Sequence, residues 1–262
     1  IKNSFDLLIP VLVVVLTLYP LSLFIQSQFD MLIPQAIMSL FKPLVSAADS
    51  LPAILLAVLI GHLLWFAGIH GAAIVSGMLQ MFWLTNLGLN QTALAQGMPL
   101  PHIFMEAFWT FFIVVGGSGA TMGLVFCYLR SRSAHLRAIG RLSVVPSLFN
   151  INEPVIFGTP IVMNPVFFIP FLLAPMVNAV IAWSAAKLDL IVRVISVVPW
   201  TAPAPIGGPW ALGWDFRAAI LVVLLVCVSA IIYYPFFKVY EKQLLEQEDE
   251  EAQRVAAEES QQ

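Results

Sequence analysis

Glu153 is the only Asp, Glu, Lys or Arg between Arg141 and Lys187. It sits in the run Ser147-Leu148-Phe149-Asn150-Ile151-Asn152-Glu153-Pro154-Val155-Ile156-Phe157-Gly158, with two asparagines ahead of it and a proline behind. Holding an ionisable group inside a bilayer costs roughly 2.5–3.5 kcal/mol on insertion scales, so such a group usually faces a cavity or a ligand. A second window, from Asp49 to Glu106, has no charged residue between its ends, yet it holds His62, His70 and His102. His70 is the sharpest of these. It lies in Trp65-Phe66-Ala67-Gly68-Ile69-His70-Gly71, where glycines on both sides give backbone freedom and room for a group to approach the ring. An imidazole both donates and accepts near neutral pH, which suits a proton site or a hydroxyl-binding group. Capping or satisfying a broken helix is its alternative role. His62 lies near two helical turns earlier and can share that face, whereas His102, between Pro101 and Ile103, reads as a loop-end residue.

A carboxylate (Glu153), an imidazole (His70) and carboxamides (Asn150 and Asn152) each offer a directional partner to a hydroxyl, so together they suit a polyhydroxylated ligand. Ligand sites surround such groups with apolar and aromatic walls. Trp65, five residues before His70, and Trp200, in Val198-Pro199-Trp200-Thr201-Ala202-Pro203, are the best placed to stack on the C–H face of a pyranose. Tryptophan also gathers at membrane interfaces for reasons unrelated to ligands, and that is the competing reading for both.

The elements that must position these residues are membrane helices. Of the 262 residues 60% are apolar and only 10% charged, where a soluble domain is nearer a quarter charged. Apolar stretches near the roughly 20 residues needed to span a bilayer run over 7–25, 51–67, 69–87, 107–129, 165–186 and 218–237. That predicts an all-α integral membrane protein with about five or six transmembrane helices, five if 69–87 only dips in. In 107–129 the residues Gly116, Gly117, Gly119 and Gly123 are expected to form a close-packing face. Two further regions are apolar but rich in proline: Val144–Met163, and Ile195–Trp214 with its Gly207-Gly208 pair. Proline removes backbone donors, and non-helical backbone at membrane depth survives only where protein or a watery cavity supplies hydrogen bonds. Both regions are expected to be re-entrant segments of the kind that build midplane transporter sites; proline-rich surface loops are the alternative. Cys127 and Cys227 lie in apolar segments and read as packing residues, and no metal or cofactor is called for.

The loop from Arg130 to Arg141 holds four arginines and no acid, so the positive-inside rule places it in the cytoplasm. Threading the remaining segments from there brings the C-terminus back inside, although Lys187 and Arg193 then fall outside. From Glu241 onward eight acids face two bases, so residues 1–240 read as the membrane-embedded region and 241–262 as an acidic cytoplasmic tail, helical or disordered.

The run Phe149–Gly158, continued by Pro160-Ile161-Val162 and Asn164-Pro165, closely resembles the sugar-binding segment of the membrane (EIIC) component of phosphotransferase-system transporters, in their lactose/cellobiose (diacylchitobiose) branch. Trp65–Gly71, with Gly-Ile-His-Gly, resembles that branch's second marker, and the resemblance runs from Ile1 through about Tyr240. It implies an alternating-access permease of the bacterial inner membrane, usually a homodimer. Such a permease binds a β-linked disaccharide such as cellobiose, lactose or diacetylchitobiose. The sugar is phosphorylated from a cytoplasmic phospho-IIB partner as it is released. Glu153 and His70 fall on the glutamate and histidine that bond the sugar, and Glu153 also on the candidate to activate the acceptor hydroxyl. Asn150 falls on a sugar-contacting asparagine, Trp65 and Trp200 on stacking positions, and Asn152 is carried with them. Family members are longer, with several helices ahead of the point matching Ile1, so the chain is expected to be a fragment or a truncated gene product lacking those N-terminal helices. Phosphoryl transfer is expected to come from another protein, which makes the chain the membrane subunit of a phosphotransferase rather than a complete enzyme. No nucleic-acid partner is expected. The competing classes are a proton-coupled sugar transporter using the same His and Glu as a relay, an intramembrane enzyme acting on a lipid, and an inactive EIIC remnant.

Overall fold

Uninterrupted apolar stretches and those broken by glycine or proline fold differently, and the broken ones build the interior. The computed structural model describes residues 2–30 and 49–259 and divides into two compact units, residues 1–48 and 49–262. All regular structure among the described residues is helical. In the first unit, α1 (Lys2–Phe29) leaves Leu12, Val13, Leu16, Tyr19 and Phe24 exposed.

In the second unit, α2 (Leu51–Phe66) begins with Pro52 in its first turn, where the missing N–H costs nothing. It is followed by α3 (Gly71–Ala95), the short α4 (Glu106–Phe108) running into a π-helical turn at Trp109–Ile113, α5 (Met122–Leu129), α6 (Ala134–Leu148) and α7 (Glu153–Gly158). The chain continues through α8 (Pro165–Lys187), α9 (Ala204–Ala211) and α10 (Phe216–Glu259). By length and composition α3, α8 and the first 33 residues of α10 can cross a membrane. The apolar window of α8 is 44% buried against 17% for α3, so α8 is the inner helix and α3 the more lipid-exposed one. Around α8 pack α2, the π-helical turn and α10, and α10 also packs on α5 and α9. One apolar core joins the aromatics Phe104, Phe108, Trp109, Phe111 and Phe112 to the alanines of α8; a second gathers Tyr128, Ile139, Val155, Phe167, Phe171 and Tyr233.

The stretch 107–129 departs from the expected single span. It breaks at residues 114–121, where Gly116, Gly117 and Gly119 take φ of 78°, 103° and 81° and Ala120 follows at 54°. A left-handed run of that kind ends a helix, and glycine adopts it without a Cβ penalty. These glycines therefore build a loop in place of a helix face. The close packing expected of them is kept: a Cβ would lie 2.3 Å from Asn152 at Gly117, 2.3 Å from the Phe171 ring at Gly119, and 2.4 Å from the Ala230 backbone nitrogen of α10 at Gly123. Both proline-rich regions are broken as predicted, the first by the loop between α6 and α7, the second by the irregular chain ahead of α9. Helix α10 runs without interruption through residues 240 and 241.

Candidate functional site

A cavity of about 400 Å³ opens between the two cores, and all six residues singled out in the sequence line it: Trp65, His70, Asn150, Asn152, Glu153 and Trp200. They arrive from the end of α2, the α2–α3 turn, the α6–α7 loop with the start of α7, and the turn ahead of α9.

His70 caps α3, with its Nδ1 accepting the Ala73 N–H at 3.1 Å. A neutral ring bonded in that way carries its proton on Nε2, so the cap leaves Nε2–H as the free donor of a residue that faces the cavity. Of the two roles weighed for His70, capping is the one the hydrogen bond shows. Its ring packs on Trp65 with centroids 4.4 Å apart. Trp65 itself is 6% exposed, and its buried Nε1 has no acceptor among the described residues. Of the two glycines flanking this histidine, one supplies backbone freedom, as expected, and the other close packing. Gly68 makes the turn at φ 83°, while Gly71 lets α3 press onto α2, since a Cβ there would stand 1.9 Å from the Gly61 carbonyl oxygen.

The two asparagines hold backbone. Asn150 ends α6 in a left-handed conformation (φ 61°), which asparagine tolerates better than most residues. From there its Oδ1 accepts the Gly116 N–H at 3.1 Å, and its Nδ2 donates to the carbonyls of Trp200 at 2.8 Å and Ala202 at 3.1 Å. One side chain thus fixes both the glycine loop and the turn carrying Trp200. Asn152 donates to the Ser118 carbonyl at 2.6 Å and to Thr121 Oγ1 at 2.8 Å, and Thr121 in turn donates to the Gly116 carbonyl at 3.2 Å. The glycine loop is gripped from its other side by His62 and Tyr233. The Gly119 N–H donates to His62 Nε2 at 2.8 Å, while His62 Nδ1 bonds the Val58 carbonyl at 2.7 Å. Tyr233 Oη donates to the Gly119 carbonyl at 2.7 Å. His62 is 1% exposed, so it supports the loop from beneath and lies outside the cavity lining.

Glu153 opens the first turn of α7, is exposed to the cavity, and makes no hydrogen bond or ion pair among the described residues. Its carboxylate is therefore available to a ligand. Trp200 is 52% exposed, and its backbone carbonyl is the one Asn150 holds.

Sequence reasoning passed over Glu106, Trp109, Thr110, Gly117 and Ser118, which also line the cavity. Glu106 is a second carboxylate in the same space, accepting from Gln80 Nε2 at 3.3 Å. Its signal was present, as the acid that closes the charge-free window after Asp49, but it read as a boundary. His102 lies in a loop as expected, with Nδ1 3.5 Å from Asp49 Oδ2.

Residues 1–175 match the family described as Phosphotransferase system, EIIC. The lichenan permease IIC component of Bacillus subtilis (strain 168) is 36% identical over 95% of this chain and 56% of its own length. The lactose-specific EIICB component of Staphylococcus aureus (strain N315) is 38% identical over 95% of this chain and 44% of its own. Among solved structures, the transporter ChbC, the IIC component of the N,N'-diacetylchitobiose-specific phosphotransferase system, superposes with a TM-score of 0.82 at 36% identity, over 94% of this chain and 58% of that one. The chain thus spans about half the length of the relatives it matches. The apolar helices and this kinship make it a multi-pass protein of the bacterial inner membrane. The chain belongs to the EIIC family of the phosphotransferase system.

Proposed function

We propose that this chain forms the sugar-binding part of a phosphotransferase permease that takes a β-linked disaccharide such as cellobiose, lactose or diacetylchitobiose and passes it inward for phosphorylation by a phospho-IIB partner. The observation that carries this reading is the convergence of Glu153, His70, Asn150, Asn152, Trp65 and Trp200 on one cavity of about 400 Å³, within the usual size range of small-molecule sites. The free carboxylate of Glu153 accepts a sugar hydroxyl, and the Nε2–H of His70 donates to one. Trp65 and Trp200 offer apolar faces to the ring, Trp65 with an unpaired N–H as well. Asn150 and Asn152 shape the site through the backbone they hold, and each Oδ1 keeps a lone pair for a hydroxyl. In the transfer step the acceptor oxygen bonds to phosphorus, the bond from phosphorus to the IIB carrier breaks, and the hydroxyl proton passes to Glu153 as general base.

The basic loop 130–141 and the end of α10 belong to the cytoplasmic side in this scheme, and hydrogen bonds between them support their sharing one side. Glu241 accepts from Ser131 Oγ and Arg132 N–H, both at 2.6 Å, and Glu248 accepts from Ser133 Oγ at 2.6 Å. The homodimeric assembly usual in the family is part of the same reading. Uptake of labelled disaccharide into cells lacking the general phosphotransfer proteins tests it. Loss of uptake is expected; persistence would overturn group translocation in favour of proton coupling through the same His and Glu.

A further inference from the structure

Beside the large cavity lies a second, smaller one of about 110 Å³, and Glu106 lines both. Its wall on α3 is Gln80, Trp83, Leu84 and Leu87, the i, i+3, i+4, i+7 set that shares one helix face. Its other wall is the chain at 194–198 with Ser196. Two features set this chamber apart from a packing defect. Trp83 is 2% exposed and its Nε1–H has no acceptor among the described residues, whereas buried donors are almost always paired. At the threshold, Gln80 donates to Oε2 of Glu106 and leaves Oε1 unengaged.

Glu106 is held at that threshold by a rigid approach. The N–H groups of Ile103 and Phe104 donate to the Asp49 carboxylate at 2.9 and 2.6 Å. Asn90 brackets His102, accepting its N–H and donating to its carbonyl, each at 2.9 Å, and also donates to the Val194 carbonyl at 2.9 Å. One buried asparagine therefore ties both walls of the small chamber together. At about 30 Å³ per water the chamber has room for three or four waters, or for a ring substituent, but not for another sugar ring.

We propose that the chamber is a specificity subsite, and that Glu106 and Trp83 read a ring substituent carrying both a hydrogen-bond donor and an acceptor. The donor of the substituent meets the Glu106 carboxylate and its acceptor meets Trp83 Nε1–H. A hydroxymethyl group and an acylamino group share this chemistry. The inference rests on the sugar-binding reading above and adds which part of the ligand the site inspects.

Equilibrium binding of three β-1,4 disaccharides to the purified protein tests it: xylobiose, which lacks both substituents, cellobiose, which has hydroxymethyl groups, and diacetylchitobiose, which has both kinds. The wild type is expected to bind a substituted sugar more tightly than xylobiose. Glu106→Leu and Trp83→Phe should each reduce that affinity ratio by about tenfold, as loss of one buried hydrogen bond predicts. A ratio that falls for cellobiose and diacetylchitobiose alike identifies the hydroxymethyl group; a fall for diacetylchitobiose alone identifies the acylamino group. Equal binding of all three sugars by the wild type, or an unchanged ratio in Glu106→Leu, overturns the subsite. If Trp83→Phe lowers the melting temperature sharply, Glu106→Leu alone decides. Failure of the wild type to bind any of the three would instead sink the sugar-binding reading itself.

Discussion

Replacing Asn150 with alanine removes three hydrogen bonds at once and places a Cβ-bearing residue without a polar side chain at φ 61°. The buried Gly116 N–H loses its acceptor, which costs about 2 kcal/mol for an orphaned donor. The two bonds to the carbonyls of Trp200 and Ala202 contribute about 1 kcal/mol each. The left-handed backbone adds about 1 kcal/mol for alanine and nothing for glycine. The expected destabilisation is therefore about 5 kcal/mol for Asn150→Ala and about 4 kcal/mol for Asn150→Gly. At a few degrees per kcal/mol this is a drop of roughly 10 °C or more in the melting temperature of the purified protein. The deficit is local, since the lost bonds hold the glycine loop and the Trp200 turn, so sugar affinity should fall with stability, by at least tenfold. Scanning calorimetry with and without disaccharide measures both. If Asn150→Ala melts within a degree or two of wild type, or if it melts early yet binds sugar normally, the clamp does not work as described.

Other perturbations separate packing from chemistry. Gly71→Ala should destabilise by roughly 3 kcal/mol, because the new methyl meets the Gly61 carbonyl and can be accommodated only by parting α2 from α3. Gly77→Ala, on the same helix with nothing within 4 Å of its Cβ position, should be neutral or slightly stabilising, and thermal melting compares the two. Glu241→Ala removes the acceptor of the Ser131 hydroxyl and of the Arg132 N–H, while Ser131 Oγ still accepts from the Ser133 N–H, and hydrogen exchange should show the Arg132 amide losing most of its protection. At Asp215, burial favours the neutral carboxyl. The Arg217 guanidinium and the N–H groups of Val192 and Arg217 outweigh burial and hold the group below its ordinary value. The stabilisation is complete above about pH 4, the unfolded aspartate value, and is lost as pH falls through the lower folded one, so exchange at Val192 should rise below pH 4.

The site was legible where a residue type was out of place for its surroundings. Glu153 stood out as a lone charge, His70 as an imidazole between glycines, and the prolines after Glu153 announced that no ordinary span held it. All-helical membrane architecture followed from the apolar runs. The glycine loop was hidden because small residues along an apolar stretch serve either a packing face or a left-handed turn, and composition does not distinguish φ of −60° from the 78–103° observed. Asn150 and Asn152 were legible as polar groups, but their partners lie 31 to 52 residues away in the chain, so what they bond could not be read locally. Glu106 opens α4, a three-residue helix that runs into a π-helical turn, and neither that geometry nor the cavity it lines is written in the local sequence.

The central claim concerns Glu153, a cavity carboxylate with no hydrogen bond or ion pair among the described residues. The direct test is phosphorylation of bound disaccharide by phospho-IIB, followed with labelled phosphate in membranes carrying wild type or Glu153→Gln. The account predicts a variant that folds and melts like wild type, because no hydrogen bond or ion pair among the described residues depends on that carboxylate, and that forms no sugar phosphate. Full phosphorylation by Glu153→Gln would contradict it.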